Sequence, residues 1–96
     1  MYATVRRYES VPDPAEAARV VSEHFVPIVS SLPGFVAYFW ADAGSGVMIS
    51  TSVFTERAGA EESNRRAAEW IRDNAPGLLP VPPQVTAGEV VAHAAA

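Results

Sequence analysis

Phe35-Val36-Ala37-Tyr38-Phe39-Trp40-Ala41 is apolar throughout, stands directly after Leu32-Pro33-Gly34 and runs into Asp42-Ala43-Gly44-Ser45-Gly46. Between such breakers it reads as a β-strand, and apolar residues on both parities mark a strand that is covered on both faces. Whatever this chain folds into must supply two layers of cover for one strand. Val47 to Phe54 follows the turn-rich link as a second strand, which makes the pair a β-hairpin with a slightly long loop.

The flanking segments supply one of those layers. Tyr2 to Tyr8 is a β-branched and aromatic strand with Tyr2, Thr4, Arg6 and Tyr8 on one parity and Ala3 and Val5 on the other. Asp13-Pro14-Ala15-Glu16 is a helix start, with a capping Asp, a proline at the first helical position and Glu16 three residues after the cap. Ala17, Val20, Val21, Phe25, Ile28 and Val29 then form an apolar helical face. Pro27 interrupts this helix, so a kink near Glu23 or an early last turn is expected. A second helix, capped by Thr55 and running to about Ala75, carries Ala60, Asn64, Ala67, Ala68, Ile71 and Ala75 on its inner stripe. Glu61–Arg65, Glu62–Arg66 and Arg65–Glu69 are spaced as ion pairs on its outer side. Pro76-Gly77 ends it, Leu79 to Pro83 is an extended connector, Gln84 to His93 is a fourth strand, and Ala94 to Ala96 is a frayed tail.

The order is β-α-β-β-α-β, an α+β ferredoxin-like unit with a four-stranded antiparallel sheet and two helices on one face, forming one domain over residues 1–96. Two helices leave the second face of that apolar strand bare. A second copy packed face to face would cover it, so a homodimer is expected.

Composition narrows the function. Seven basic and eleven acidic residues give a formal charge of −4, the wrong sign for a nucleic-acid surface. The absence of cysteine removes thiolate, iron–sulfur and Cys-zinc chemistry. Residues 25 to 41 are broken by Pro27, Ser30, Ser31, Pro33 and Gly34, so no membrane span is expected. With no signal-peptide layout at Met1 to Arg7, the expected location is cytoplasmic. No residue pair has metal-ligand spacing, and Gly44-Ser45-Gly46 joins two strands rather than opening a helix, so neither a metal nor a nucleotide cofactor is expected.

Leu32-Pro33-Gly34-Phe35 leading into an aromatic strand, a hairpin, and Phe54 followed by Ala58-Gly59-Ala60-Glu61-Glu62-Ser63 resembles the antibiotic biosynthesis monooxygenase family over nearly the whole chain. The resemblance implies a dimeric α/β barrel and two activities. One is cofactor-free oxidation of a small phenolic or polyaromatic substrate to a quinone. The other is haem degradation, for which the family uses an Asn on the first strand, a Trp on the second helix and an iron-ligating His. Only Trp70 matches that set, so the pattern does not support haem degradation.

The candidate catalytic residues are Arg6 and His24. Arg6, in the middle of an aromatic strand, is a cation that could stabilise a phenolate, or an interfacial Arg whose head pairs with an acid across the dimer. His24 could serve as general base or could be a wet helix-flank histidine. Tyr38 and Trp40, on the parity opposite to Phe35, Ala37 and Phe39, together with Trp70 and Asn64 on the second helix, are the candidate ligand-binding residues. Asn64 is the most informative of these, because an amide on an apolar stripe needs a partner. Ser50 and Ser52 share a parity and could reach the same cavity, but neither has a base partner for nucleophilic chemistry. The alternative is a non-catalytic ligand carrier or structural dimer of the same fold. A cavity of roughly 300 Å³ lined by these aromatics is expected of a ligand-binding protein, and interdigitated aromatics of a structural one.

Overall fold

The computed structural model describes residues 1–96. Its elements are β1 (Tyr2–Tyr8), α1 (Pro14–Val20), a π-helical stretch (Val21–Phe25), α2 (Val26–Ser30), β2 (Phe35–Gly44), β3 (Val47–Phe54), α3 (Arg57–Asn74) and β4 (Gln84–Glu89). The strands form one antiparallel sheet in the order β2-β3-β1-β4. The helices lie on one face of it, as the ferredoxin-like order requires. No helix is long and apolar enough to cross a membrane.

Asp13 caps α1 as expected, its carboxylate accepting the Glu16 N–H. The disturbance caused by Pro27 is a π-helical turn spanning Glu23 rather than a sharp kink. Proline has no N–H to give and its ring crowds the carbonyl of Glu23, four residues back, and a wider turn relieves that crowding. The Val26 N–H bonds instead to the Val21 carbonyl.

Four features differ from the sequence reading. β2 continues to Gly44 and the hairpin closes in two residues, because Ser45 (φ 54°) and Gly46 (φ 77°) take the left-handed conformations of a type I′ turn. Thr55 does not cap α3: its N–H is held by the Gly34 carbonyl at 2.8 Å, and Glu56 precedes the helix with no side-chain cap. Strand β4 ends at Glu89 rather than His93. A bulge at Val36 moves Phe35 onto the helix-facing side with Tyr38 and Trp40, where its ring meets Phe54 edge-on at 5.9 Å.

The core lies between the sheet and the helices, around Val21, Phe25, Val29, Phe54, Ala60, Ala67 and Trp70. Trp70 is inside the buried stripe of α3, and Ala68 is exposed rather than buried. On the outer side of α3, Arg66–Glu62 and Arg65–Glu69 pair as read, whereas Glu61 is held by Arg57 instead of Arg65. The opposite face of the sheet carries Ala3, Val5, Ala37, Phe39, Ala41, Ile49, Thr51 and Val53 in register. Phe39 there is 65% exposed.

Gly59 lets α3 sit directly on Phe54: a Cβ at position 59 would lie 2.7 Å from the Phe54 ring. Gly59→Ala is therefore expected to destabilise the fold by about 1–3 kcal/mol through overpacking, although alanine is the better helix former. Urea unfolding of the two proteins checks this, and an unchanged or raised midpoint would contradict it.

Candidate functional site

The site is built on β1, whose Thr4, Arg6 and Tyr8 face the helices. Register places Thr4 across from Ser52 and then Tyr38, and Arg6 across from Ser50 and then Trp40. Arg6 is 2% exposed. Its Nε donates to Ser50 Oγ at 3.0 Å, its Nη2 to Ser52 Oγ at 3.1 Å and its Nη1 to Asn64 Oδ1 at 2.6 Å. The Asn64 amide in turn donates to Thr4 Oγ1 at 3.0 Å, and the guanidinium, which can only donate, fixes which end of the amide faces it. The partner of the amide on the apolar stripe is thus the strand cation.

Every one of these acceptors is neutral. The guanidinium is hydrogen-bonded but its charge is not balanced by a carboxylate, an arrangement that leaves a desolvation cost of several kcal/mol uncompensated. Tyr8 and Tyr38 flank it. Burial pushes the Tyr8 hydroxyl up to about 12 against the opposing pull of Arg6, and burial raises Tyr38 as well. Both stay protonated near neutrality, so neither supplies the missing negative charge.

Aromatic rings close the space around the cation. Tyr8 and Trp40 are 5.3 Å apart between centroids, Phe25 and Tyr38 5.8 Å, and Phe25 and Trp70 5.4 Å. Between them remains a void of about 10 Å³ whose wall includes Arg6, Tyr38, Trp40 and Trp70. This is far below the volume expected of a ligand-binding cavity, and the aromatics interdigitate. The Trp40 indole N–H is buried without a hydrogen-bond partner. Trp70 also lines an open surface groove of about 470 Å³ formed with Val20, His24, Ile28 and Asn74, so one indole separates solvent from the interior at the seam between the two helical segments.

The structure therefore brings Arg6, Asn64, Tyr38, Trp40 and Trp70 together. His24 stands apart from them: it is 61% exposed, beyond Trp70, with Glu23 3.8 Å away. Arg6 does not face the outer side of the sheet, where an acid of a second copy would meet it. Thr4 and Tyr8 complete the site and were visible only as parity mates of Arg6. No three His, Asp or Glu side chains gather into a metal-holding group.

The pH dependence of stability follows from Tyr8. Its folded-state pKa lies above the unfolded value, so its contribution is complete below about pH 10 and is lost as the pH rises toward 12. Urea unfolding between pH 9 and about 12 should show falling stability, with a shallower fall in Tyr8→Phe. Parallel curves for the two proteins would contradict this assignment.

No family model and no curated protein matches the sequence. Solved structures match it over nearly its whole length. A protein of unknown function from Nitrosomonas europaea superposes with a TM-score of 0.79 at 23% identity, covering 99% of this chain and 93% of that one. A monooxygenase from the gene ActVA-Orf6 of Streptomyces coelicolor, solved with nanaomycin D, gives 0.74 at 15% identity, covering 99% and 91%. SnoaB, a cofactor-independent oxygenase from Streptomyces nogalater, gives 0.66 at 17% identity, covering 98% and 94%. With its four-stranded sheet, its helices on one face and its order of elements, this chain has the fold of the antibiotic biosynthesis monooxygenases.

Proposed function

We propose that this chain is a cofactor-independent monooxygenase, acting as a homodimer on a small phenolic or polyaromatic molecule. The observation that carries the proposal is the buried Arg6, held in place by neutral oxygens and lacking a carboxylate. A preformed cation in a water-poor site stabilises negative charge that develops there far better than it would in water. The nanaomycin D bound to the Streptomyces coelicolor monooxygenase and the oxygenase activity of SnoaB support an aromatic ligand and oxygen as the second reactant.

The chemistry is balanced without a cofactor. A phenolate against Arg6 gives one electron to dioxygen, and the resulting phenoxyl radical and superoxide join at the ring carbon opposite the oxygen. The peroxide takes a proton from solvent. Loss of the hydrogen on that carbon together with hydroxide then leaves a quinone and water, so one phenol and one dioxygen give one quinone and one water. No group beside Arg6 accepts a proton near neutrality, since Ser50, Ser52 and Asn64 are neutral and both tyrosines hold their protons. Arg6 thus selects substrate already ionised in solution. The ring reaches it from the surface groove when Trp70 swings out of the helix seam.

Cover for the bare sheet face comes from a second copy. Ala3, Val5, Ala37, Phe39, Thr51 and Val53 form a largely apolar patch, with Arg7 beside Ile49 at its edge, and such a patch suits an isologous pairing.

The closed interior favours a second reading, a non-catalytic dimer whose aromatics are core. Oxygen consumption separates the two. With phenols and naphthols that carry a hydrogen on the ring carbon opposite the hydroxyl, uptake should exceed that of buffer, fall about a hundredfold in Arg6→Gln and persist in Arg66→Ala. Its kcat/KM should rise with pH to the ionisation of the substrate's own phenol, and His24→Ala should leave that profile unmoved. Uptake equal to buffer for all phenols would establish the structural reading. Phe39→Asp should convert a dimer to a monomer in sedimentation, and a wild-type monomer would remove the homodimer.

A further inference from the structure

Among the residues that α3 buries, Ala60, Ser63 and Ala67 are small, and Trp70 is the only large one. Its indole supplies most of the bulk between the second half of that helix and the sheet. The ring lies tilted by 46° against Phe25, at 5.4 Å between centroids, and with Arg6 it borders the residual void of about 10 Å³. On its other side is the open groove of about 470 Å³ formed with Val20, His24, Ile28 and Asn74. Trp70 is 8% exposed, whereas its neighbours Phe25 and Val21 are 2% and 3% exposed. The side chain that closes the interior is thus also the one with solvent beyond it and space to turn into.

We propose that the Trp70 indole is a plug standing in the place of the substrate's ring, and that the exchange of one for the other selects substrates with two fused rings. The proposal rests on the oxygenase reading and adds to it the size of ring admitted. Packing sets that size. When the indole turns out into the groove, it leaves a space of its own shape among Val21, Phe25, Ala67 and Ile71, and a close-packed interior is intolerant of misfit in either direction. A single ring leaves part of that space empty and so leaves a cavity. Three fused rings press on side chains that have no room to give, and the groove cannot take the overhang because the expelled indole lies there. Two fused rings match the indole and restore the apolar burial that Trp70 gives up. Val20 and Ile28 on the groove wall cover the expelled ring in turn. The plug also accounts for the closed interior: without substrate the aromatics interdigitate because one of them sits in the substrate's seat.

Binding under nitrogen tests the plug without any turnover. Protein labelled with 5-fluorotryptophan gives two fluorine signals, from Trp40 and Trp70, and Trp70→Phe assigns them. In the wild type, 1-naphthol should bind about tenfold more tightly than phenol or 9-phenanthrol. Saturating 1-naphthol should give the Trp70 signal the solvent isotope shift of an exposed fluorine and leave the Trp40 signal without it. Trp70→Phe, a smaller plug that is more easily displaced, should bind 1-naphthol roughly threefold more tightly than the wild type. Equal binding of one, two and three rings, or 1-naphthol bound while the Trp70 fluorine stays shielded from solvent, would overturn the plug, and oxygen uptake with phenols alongside either result would leave the oxygenase reading standing. Weaker binding of 1-naphthol to Trp70→Phe would overturn the plug as well, since the indole would then be a wall of the site and not its occupant. Displacement of Trp70 by 1-naphthol with no oxygen uptake for any phenol would overturn the oxygenase reading and leave the plug as the gate of a ligand carrier.

Discussion

The buried guanidinium of Arg6 ties the layers of this protein together. Its three donors end on β3 and α3, so one side chain from β1 fastens neighbouring strand to overlying helix. The same residue carries the largest electrostatic burden in the molecule, a charge taken out of water with no acid beside it. A hydrophobic residue of similar volume would satisfy the packing without that burden. The site chemistry and the tolerance of a costly group are then one problem, and the neutral oxygens of Ser50, Ser52 and Asn64 are its solution: they hold the cation in position and leave its field intact.

Neutral acceptors have a second effect. A carboxylate in place of Asn64 would anchor Arg6 more strongly and would also discharge it, so the amide trades strength of attachment for reach of the field. The guanidinium itself enforces the orientation that this requires, because an amide turned the other way would present its NH₂ group to a cation. The tyrosines contribute by staying protonated, since burial raises both hydroxyls. A positive charge without a balancing acid is in this way held in the interior of a chain whose formal charge is −4.

Much of the architecture was legible because local signals and global demands agree. Pro14 after a capping Asp, Pro33-Gly34 before an aromatic strand and Pro76-Gly77 after a helix each set one boundary, and the β-α-β-β-α-β order put the helices on one face of the sheet. The misreadings have equally local causes. Alternation alone could not reveal the bulge at Val36, which places Phe35 on the same side as Tyr38. Asp42 to Gly46 read as a long loop because positive φ at Ser45 and Gly46, and not residue count, decides where the hairpin turns. Of the site, Arg6, Asn64, Tyr38, Trp40 and Trp70 stood out as polar residues in apolar settings or as large aromatics. Their union could not be read, because strand register and helix rotation bring together residues some sixty positions apart. His24 drew notice as a titratable group on a helix, yet the side of a helix on which a residue lies depends on every turn before it.

The π-helical turn bears on that last point. Ala17, Val21, Phe25 and Val29 are all buried, and each follows the previous one by four residues. In an unbroken α-helix four residues overshoot a full turn by about 40°, so such a row would wind roughly 120° around the axis over its length. The wider turn at Val21–Phe25 unwinds that drift and keeps the row facing the sheet. The segment therefore holds a residue in surplus. A deletion within it would still give a continuous helix, but one whose second half turns Val29 away from the core, so in this chain a loss of length would be felt as a rotation.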